Sequence, residues 1–180
     1  MMMSDPLWYL VRSVSMIVIG VMLVRFLSQL VGANPRNPVC AALRRITDHV
    51  LHPLRRVVPG NRRIDGASLT VVIGLELVYV LGAFVLADLR PSPMPALRLA
   101  LVDLSLLLVN IMTASIIVEA VLSWIAPQHP LSLFSQELNA PLLDPARRLL
   151  PDLGGLDLSP VLVLLLLQFL RRALLPLALF

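Results

Sequence analysis

The sequence has no lysine, one cysteine and few aromatic or charged residues, and each shortage narrows the class of protein. Charged residues make up 14% of the chain, whereas they are about a quarter of a typical soluble domain. With 58% of its residues hydrophobic, the chain has more apolar surface than a water-soluble fold can bury. Cys40 is alone, which excludes an internal disulfide and a multi-cysteine metal site. The composition therefore favours a membrane protein.

The positive charge is carried by arginine, 15 residues in all, clustered in particular connections of the chain. Such clusters are typical of proteins that contact anionic lipid headgroups or an anionic partner. Nucleic acid is the other usual target, but no aromatic residues are interleaved with these arginines to stack on bases. We therefore expect the chain to contact anionic headgroups of the bilayer and expect no nucleic acid.

Four long apolar runs alternate with polar connections. A helix needs about 20 residues to cross the hydrocarbon core of a bilayer. The fourth run is interrupted by Arg171 and Arg172, which must extend to the headgroups or meet an acidic partner. The predicted spans are residues 7–30, 67–89, 97–125 and 161–180.

Two amphipathic stretches lie between the first and second spans and between the third and fourth. From Pro38, apolar residues recur at helical spacing with charged residues largely on the other side, which predicts a helix lying in the plane of the interface. Pro53 is expected to break this helix into two pieces. A second such stretch follows Pro130, and Asp144 with Pro145 is expected to cap a new helix there.

The chain repeats itself at an offset of 92 residues: residues 53–59 (PLRRVVP) recur as 145–151 (PARRLLP), and Pro38 falls on Pro130. We predict an all-α membrane protein of two parallel repeats, residues 1–92 and 93–180, each with a transmembrane helix, an interfacial helix carrying a Pro-x-Arg-Arg motif, and a second transmembrane helix. The residues of the interfacial motif are Pro53, Arg55, Arg56, Pro59, Pro145, Arg147, Arg148 and Pro151.

The arginine bias predicts the orientation of these repeats. Arginine-rich loops remain in the cytoplasm, and the two connections that hold the interfacial motifs carry most of the arginines. We therefore expect a multi-pass protein of the cell inner membrane with both interfacial loops cytoplasmic and both termini outside. Arg171 and Arg172, toward the outer end of the fourth span, weigh against this orientation.

Several polar residues lie inside the predicted spans, where an ionisable group costs roughly 2.5–3.5 kcal/mol on insertion scales. Because the first and third spans run in the same direction, we expect Arg12 to pair with Asp103 and Arg25 with Glu119. Such residues hold helices together, line a polar pathway or binding site between the repeats, or extend to the headgroups without partners. The intramembrane set is Arg12, Arg25, Glu76, Asp103, Glu119 and Gln168, and Glu76 falls on Gln168 at the repeat offset.

Asp65 and Asp157, also related by the repeat offset, are predicted to cap the second and fourth spans. A carboxylate at this position accepts hydrogen bonds from the free amides of the first helical turn.

Residues 53–59, the segment 64–69 (IDGASL), the second arginine pair at 147–148 and the segment 154–160 (GGLDLSP) together resemble the YggT family of bacterial and plastid membrane proteins. The resemblance covers nearly the whole chain in both repeats. It departs at 61–63 (NRR), where small residues are more usual, and at Ala146, which replaces a leucine. The resemblance implies links to osmotic tolerance, to nucleoid or division-site organisation and, in a plastid branch, to haem attachment, but it supplies no catalytic residue.

No enzyme motif is present: the sequence lacks a nucleophile elbow, a phosphate-binding glycine loop and a zinc-binding helix. His49 and His52 lie three apart but have no set of further ligands at metal spacing nearby. We therefore expect no cofactor, and expect a non-catalytic assembly or organising factor with a membrane-protein partner of unknown identity; self-association is left open. The alternative is a small ion or solute pathway used in osmotic adaptation.

Overall fold

The computed structural model describes residues 6–56, 58, 65–86, 93–149 and 157–178. Within these residues the chain forms six α-helices and one short 3-10 helix, with no β-strand. The α-helices are α1 (Pro6–Leu30), α2 (Pro38–Leu54), α3 (Gly66–Leu86), α4 (Pro93–Ile125), α5 (Pro130–Leu149) and α6 (Ser159–Leu174), and the 3-10 helix is Leu175–Ala178. The motif prolines Pro59 and Pro151 lie outside the described residues.

Four of these segments are long and apolar enough to cross a membrane, and they correspond to the four predicted spans. They are Tyr9–Leu30, Gly66–Val85, Pro93–Ile125 and Ser159–Ala178. Large apolar side chains point outward along them, among them Ile17, Val78 and Phe169, which are 66%, 70% and 74% exposed. An outward apolar surface of this kind suits a hydrocarbon solvent, and the chain therefore fits a multi-pass membrane protein.

The end of helix α1 at Leu30 is set by Gly32, two residues later, and not by the prolines that follow. Gly32 has φ 73°, a left-handed conformation that costs glycine little because it has no Cβ. The amide of Ala33 donates to the carbonyl of Ser28 (2.8 Å) and that of Gly32 to Gln29 (3.1 Å). This pair of bonds is the Schellman motif, which satisfies the last carbonyls of a helix.

Helix α4 begins within a proline-rich segment, at Pro93. Pro93 and Pro95 lie in its first turn, where a missing amide costs no intrahelical hydrogen bond because the first amides of a helix are unpaired. The span therefore starts four residues before the predicted boundary at Leu97.

Helix α2 begins with Asn37, whose side chain accepts from the amide of Val39 (2.9 Å), and with Pro38 in the first turn. The prediction that Pro53 breaks this helix into two pieces is wrong, because the helix continues through Pro53 and ends at Leu54. Pro53 lies in the last turn, and the carbonyl that loses its donor is that of His49. Because His49 is an exposed residue, water can bond this carbonyl instead.

Helix α5 is one continuous helix, which overturns the expectation that Asp144 and Pro145 start a new one. It includes both Pro141 and Pro145, although an internal proline costs about 3 kcal/mol. Leu138, Leu143 and Ala146 are buried on one side of it. Their packing on both sides of the prolines holds the segment helical despite the missing hydrogen bonds.

The fourth span changes character near its end. Regular helix stops at Leu174 and a 3-10 helix continues to Ala178. Pro176 explains the change, because its ring would clash with the carbonyl four residues earlier in an α-helix.

Helix α4 is the central element, since it packs against α1, α3, α5 and α6. The largest core cluster joins its second half to the two interfacial helices and α6, with Ile116, Phe134 and Leu143 buried. A second cluster joins α1, α2 and α3 around Ile19, Leu51 and Val72. The six residues named for the two clusters are 0–4% exposed. The interfacial helices are thus packed into the same core as the spans.

Candidate functional site

Arg55 connects the end of α2 to the start of α3. Its Nη2 donates to Asp65 Oδ2 at 2.6 Å, and its Nη1 lies 3.6 Å from Asp48 Oδ1. The Asp65 side chain is 3% exposed, whereas that of Arg55 is 37% exposed. Arg55 therefore neutralises a buried carboxylate while remaining in contact with solvent.

Asp65 immediately precedes α3 and is bonded to its first turn. It accepts from the hydroxyl of Ser68 at 2.9 Å. Burial acts to raise the pKa of Asp65, but the hydrogen bonds from Arg55 and Ser68 together outweigh it and hold the pKa below its ordinary value. Asp65 is thus placed as a helix cap and as an ion-pair partner at once.

Arg147 makes the corresponding contact in the second half of the chain. Its Nε donates to Asp157 Oδ2 (3.0 Å), its Nη1 to Asp144 Oδ1 (3.3 Å) and its Nη2 to Glu119 Oε1 (3.3 Å). Asp157 also accepts from the amide of Ser159 at 2.9 Å, at the start of α6. Arg147 thus holds together the end of α5, the start of α6 and the C-terminal part of α4.

The pKa of Asp157 is lowered as well. Burial acts to raise it, but the bonds from Ser159 and Arg147 outweigh this effect. The pairs Arg55 with Asp65 and Arg147 with Asp157 are separated by the same 92 residues in the sequence. In both halves, the first arginine of the motif binds the carboxylate ahead of the next span.

The second arginine of each motif has a different environment. Arg56 and Arg148 are exposed, and neither makes a hydrogen bond or ion pair with any part of the chain that the structure describes. The two arginines of a motif are therefore not equivalent, a distinction that the repeated sequence did not indicate.

The predicted pairing of Arg25 with Glu119 is wrong. Arg25 is 5% exposed and donates to Thr47 Oγ1 and Asp48 Oδ1, both at 3.0 Å. Glu119 instead accepts from Asn139 Nδ2 at 2.7 Å and from Arg147. The prediction considered only how far along their spans the two residues lie. In the structure, each of these spans contacts polar side chains of the interfacial helix that follows it.

Thr47 and Asn139 were missed by sequence reasoning, although a signal was present. Both are 0% exposed and lie 92 residues apart, on the buried sides of α2 and α5. An uncharged polar residue at the same position of both amphipathic stretches indicated a hydrogen-bonding role there.

Two further contacts join the halves of the chain at the start of the interfacial helices. The amide of Asn34 donates to Glu137 Oε2 and the side chain of Asn37 donates to the carbonyl of Pro130, both at 2.9 Å. Because Asn37 also caps α2, the beginnings of α2 and α5 are fixed to each other.

A polar cavity of about 120 Å³ lies inside the membrane-spanning part, between α1, α4 and the end of α6. Arg12, Asp103, Asn110 and Arg171 contribute its polar side chains. A water molecule needs only about 10–15 Å³ of such space, so several fit. Arg12 and Asp103 therefore share one cavity, as their predicted depth requires, but no direct ion pair joins them within the described residues.

Glu76 is buried in α3 at 3% exposure, and its Oε1 has no hydrogen-bond partner among the described residues. Gln168, its counterpart at the repeat offset, is exposed. The two residues therefore occupy equivalent positions in the repeated sequence, but one is buried and the other is exposed. Among the described residues no group of three or more His, Cys, Asp or Glu side chains could hold a metal ion.

These features define a helical multi-pass membrane protein whose polar chemistry is concentrated in arginine–carboxylate contacts and one intramembrane cavity. The family model described as CCB3/YggT matches residues 4–86 and 99–178. The chain belongs to the CCB3/YggT family.

Relatives in several bacteria support the assignment. An uncharacterized protein of Pseudomonas aeruginosa is 33% identical over 172 residues, covering 89% of this chain and 83% of the relative. YggT of Escherichia coli K12 is 32% identical over 165 residues, covering 91% and 86%. An uncharacterized protein of Haemophilus influenzae is 32% identical over 158 residues, covering 87% and 84%. No solved structure matches the chain.

Proposed function

We propose that this protein is a non-catalytic assembly or organising factor of the cell inner membrane, built from two parallel repeats with both interfacial helices on the cytoplasmic side. The observation that carries the proposal is the division of labour within each arginine pair. Arg55 and Arg147 bind carboxylates of the protein itself, whereas Arg56 and Arg148 have no hydrogen-bond or ion-pair partner among the described residues. The interfacial helices are thereby fixed in place while still presenting positive charge.

A fixed and exposed surface suits a protein that organises others. Helix α2 is held at its start by Asn37, in its middle by the bond from Arg25 to Thr47, and at its end by Arg55. Its outer side presents Ile46 and Val50, 66% and 46% exposed. Apolar side chains flanked by arginines can contact either the headgroup region or a partner protein at that level of the membrane.

The sequence offset and the two stretches that the family model matches support the two-repeat arrangement. Because each unit would contribute two spans, both interfacial helices would lie on the same side. The arginine excess in their connections then favours the cytoplasmic side. Anionic headgroups there would contact Arg56 and Arg148, each contributing about 1 kcal/mol near such a surface.

Site-specific photocrosslinking in living cells tests the role. A photoreactive residue replacing His49, exposed on α2, should give a discrete crosslinked protein partner, identified by mass spectrometry. The matched control is Val78, exposed on the membrane-spanning helix α3, which should give no such product. Absence of protein crosslinks from His49 and from Gln136 on α5, with the protein present at normal amounts, would contradict an organising role.

The intramembrane cavity favours a second candidate, a small ion or solute pathway used in osmotic adaptation. Its polar residues come from α1, α4 and α6, at the junction of the proposed repeats. The test is solute release from proteoliposomes after osmotic downshift, comparing the unmodified protein with Asp103→Asn. Equal release from protein-containing and protein-free vesicles would rule this candidate out.

A further inference from the structure

Glu76 differs from the other buried carboxylates of the described chain. It lies midway along α3, between Val72 one turn before and Val80 one turn after, which are 2% and 1% exposed. A carboxylate on this apolar side has lost its water, and its Oε1 has no donor among the described residues. Glu76 is therefore buried without full compensation for its charge.

Glu119 provides the comparison, since it is equally deep at 5% exposure. Arg147 donates to its Oε1 and Asn139 to its Oε2. Both oxygens of Glu119 are thus matched by donors that stabilise the ionised form, whereas Oε1 of Glu76 has no donor among the described residues. The two residues are therefore similar in burial but differ in their hydrogen bonds.

The charged groups around Glu76 come from two neighbouring helices. Helix α1 contributes Arg12 and helix α4 contributes Asp103, and both act electrostatically on Glu76. Helix α2, the third helix packed against α3, contributes no charged group to this set. Tyr79 lies one turn further along α3, and Arg171 of α6 shares the cavity with Arg12 and Asp103. Arg12 and Asp103, one group of each sign, are therefore the charged residues that act on Glu76.

The free energy of burial decides the protonation state in such a site. An isolated ionised carboxylate in a low-dielectric interior is so costly that the group takes up a proton instead. Arg12 would offset this cost, but Asp103 competes for the same positive charge. Arg12 and Asp103 also line the polar cavity between α1, α4 and α6, which has room for water.

We propose that Glu76 is a proton-binding site within the membrane. Its carboxyl group takes one proton from water and returns it to water, and no other reactant is involved. The inference stands on the burial and missing hydrogen bond of Glu76 and does not depend on the protein being an assembly factor.

A hydrophobic carbodiimide, dicyclohexylcarbodiimide, tests the proposal on the unmodified protein in native membranes. It reacts with protonated carboxyl groups in apolar surroundings: the carboxyl proton moves to a diimide nitrogen and the carboxylate oxygen bonds to the central carbon. Peptide mass spectrometry should locate the adduct on Glu76, with Glu119 as the internal control that remains unlabelled. Labelling should fall about tenfold per pH unit above the titration midpoint.

A second measurement guards against unequal access of the reagent. The infrared C=O band of a protonated carboxyl should disappear with rising pH in the unmodified protein and in Glu119→Gln, and should be absent from Glu76→Gln. Glutamine preserves the shape of the side chain, so this variant is expected to fold. The proposal is overturned if Glu76→Gln retains the band, if Asp103 is labelled instead of Glu76, or if Glu76 and Glu119 are labelled equally.

Discussion

At the scale of single residues, the arginine pairs show that neighbouring identical side chains have different roles. Arg55 binds Asp65 and Arg147 binds Asp157, whereas Arg56 and Arg148 are exposed without partners in the described structure. The sequence predicts the pairs and their spacing but not this division. Adjacent residues on a helix end point in different directions, and which of them faces the next span depends on the connection.

Replacing Arg55 with alanine should destabilise the protein, while replacing Arg56 should not. Loss of Arg55 leaves the buried Asp65 carboxylate without its ion-pair partner. Because Arg55 is itself 37% exposed, we expect a cost of about 1–3 kcal/mol, less than for a fully buried pair. Thermal unfolding in mild detergent measures it.

The double variant Arg55→Ala with Asp65→Asn provides the control. It should recover part of the loss, since a neutral amide is easier to bury than an unpaired carboxylate. Equal stability of Arg55→Ala and Arg56→Ala would show that the contact with Asp65 contributes nothing.

The lowered pKa values of Asp65 and Asp157 predict destabilisation by acid. The folded state holds each carboxylate ionised below its ordinary pKa of about 3.9. The stabilisation is therefore complete above that value and is lost as the pH falls through the lower folded-state pKa. Melting temperature measured against pH should fall in this range for the unmodified protein and more shallowly for Asp65→Asn. Identical slopes would contradict the assignment.

At the scale of elements, the interfacial helices are where sequence reasoning succeeded in outline and failed in detail. Apolar periodicity correctly predicted helices after Pro38 and Pro130, but local proline rules wrongly predicted breaks at Pro53 and before Pro145. Those rules count the lost hydrogen bond and omit the burial of Leu143 and Ala146 against other helices. The wrong pairing of Arg25 with Glu119 has the same origin, because the prediction did not consider polar partners on α2 and α5.

The exposed arginines should hold α2 and α5 against an anionic bilayer. In nanodiscs with anionic lipid, the amides of both helices should exchange hydrogen more slowly than in nanodiscs with neutral lipid. The combined change Arg56→Ala and Arg148→Ala should remove this difference, since about 2 kcal/mol of headgroup attraction is lost. Lysine at both positions should preserve it, because a diffuse lipid charge does not require a bidentate guanidinium. Loss of protection in the lysine variant would instead indicate a specific carboxylate partner.

At the scale of the whole molecule, the two halves of the chain are joined at the starts of the interfacial helices and share a polar cavity within the membrane-spanning part. Asn37 and Pro130 connect the starts of α2 and α5, and the polar cavity lies between α1, α4 and α6. Composition and run length predicted four spans, and the structure has four helices suited to them. The contacts between halves were not predictable, since they depend on where unrelated turns and helix ends meet.

The sidedness of α2 and α5 tests the proposed two-repeat architecture most directly. Cys40 is a poor probe because it is 6% exposed, and burial, followed by the charge of Glu137, raises the pKa of its thiol and reduces the reactive thiolate. A Cys40→Ser background carrying His49→Cys, Gln136→Cys or Met94→Cys replaces it, with each new thiol at an exposed position.

The measurement is labelling by a membrane-impermeant maleimide in intact cells with a permeable outer layer and in inverted vesicles. Parallel repeats with cytoplasmic interfacial helices predict that His49→Cys and Gln136→Cys react only in inverted vesicles, and that Met94→Cys reacts in cells. Labelling of His49→Cys and Gln136→Cys from opposite sides would contradict parallel repeats, and labelling of both from outside would contradict the orientation.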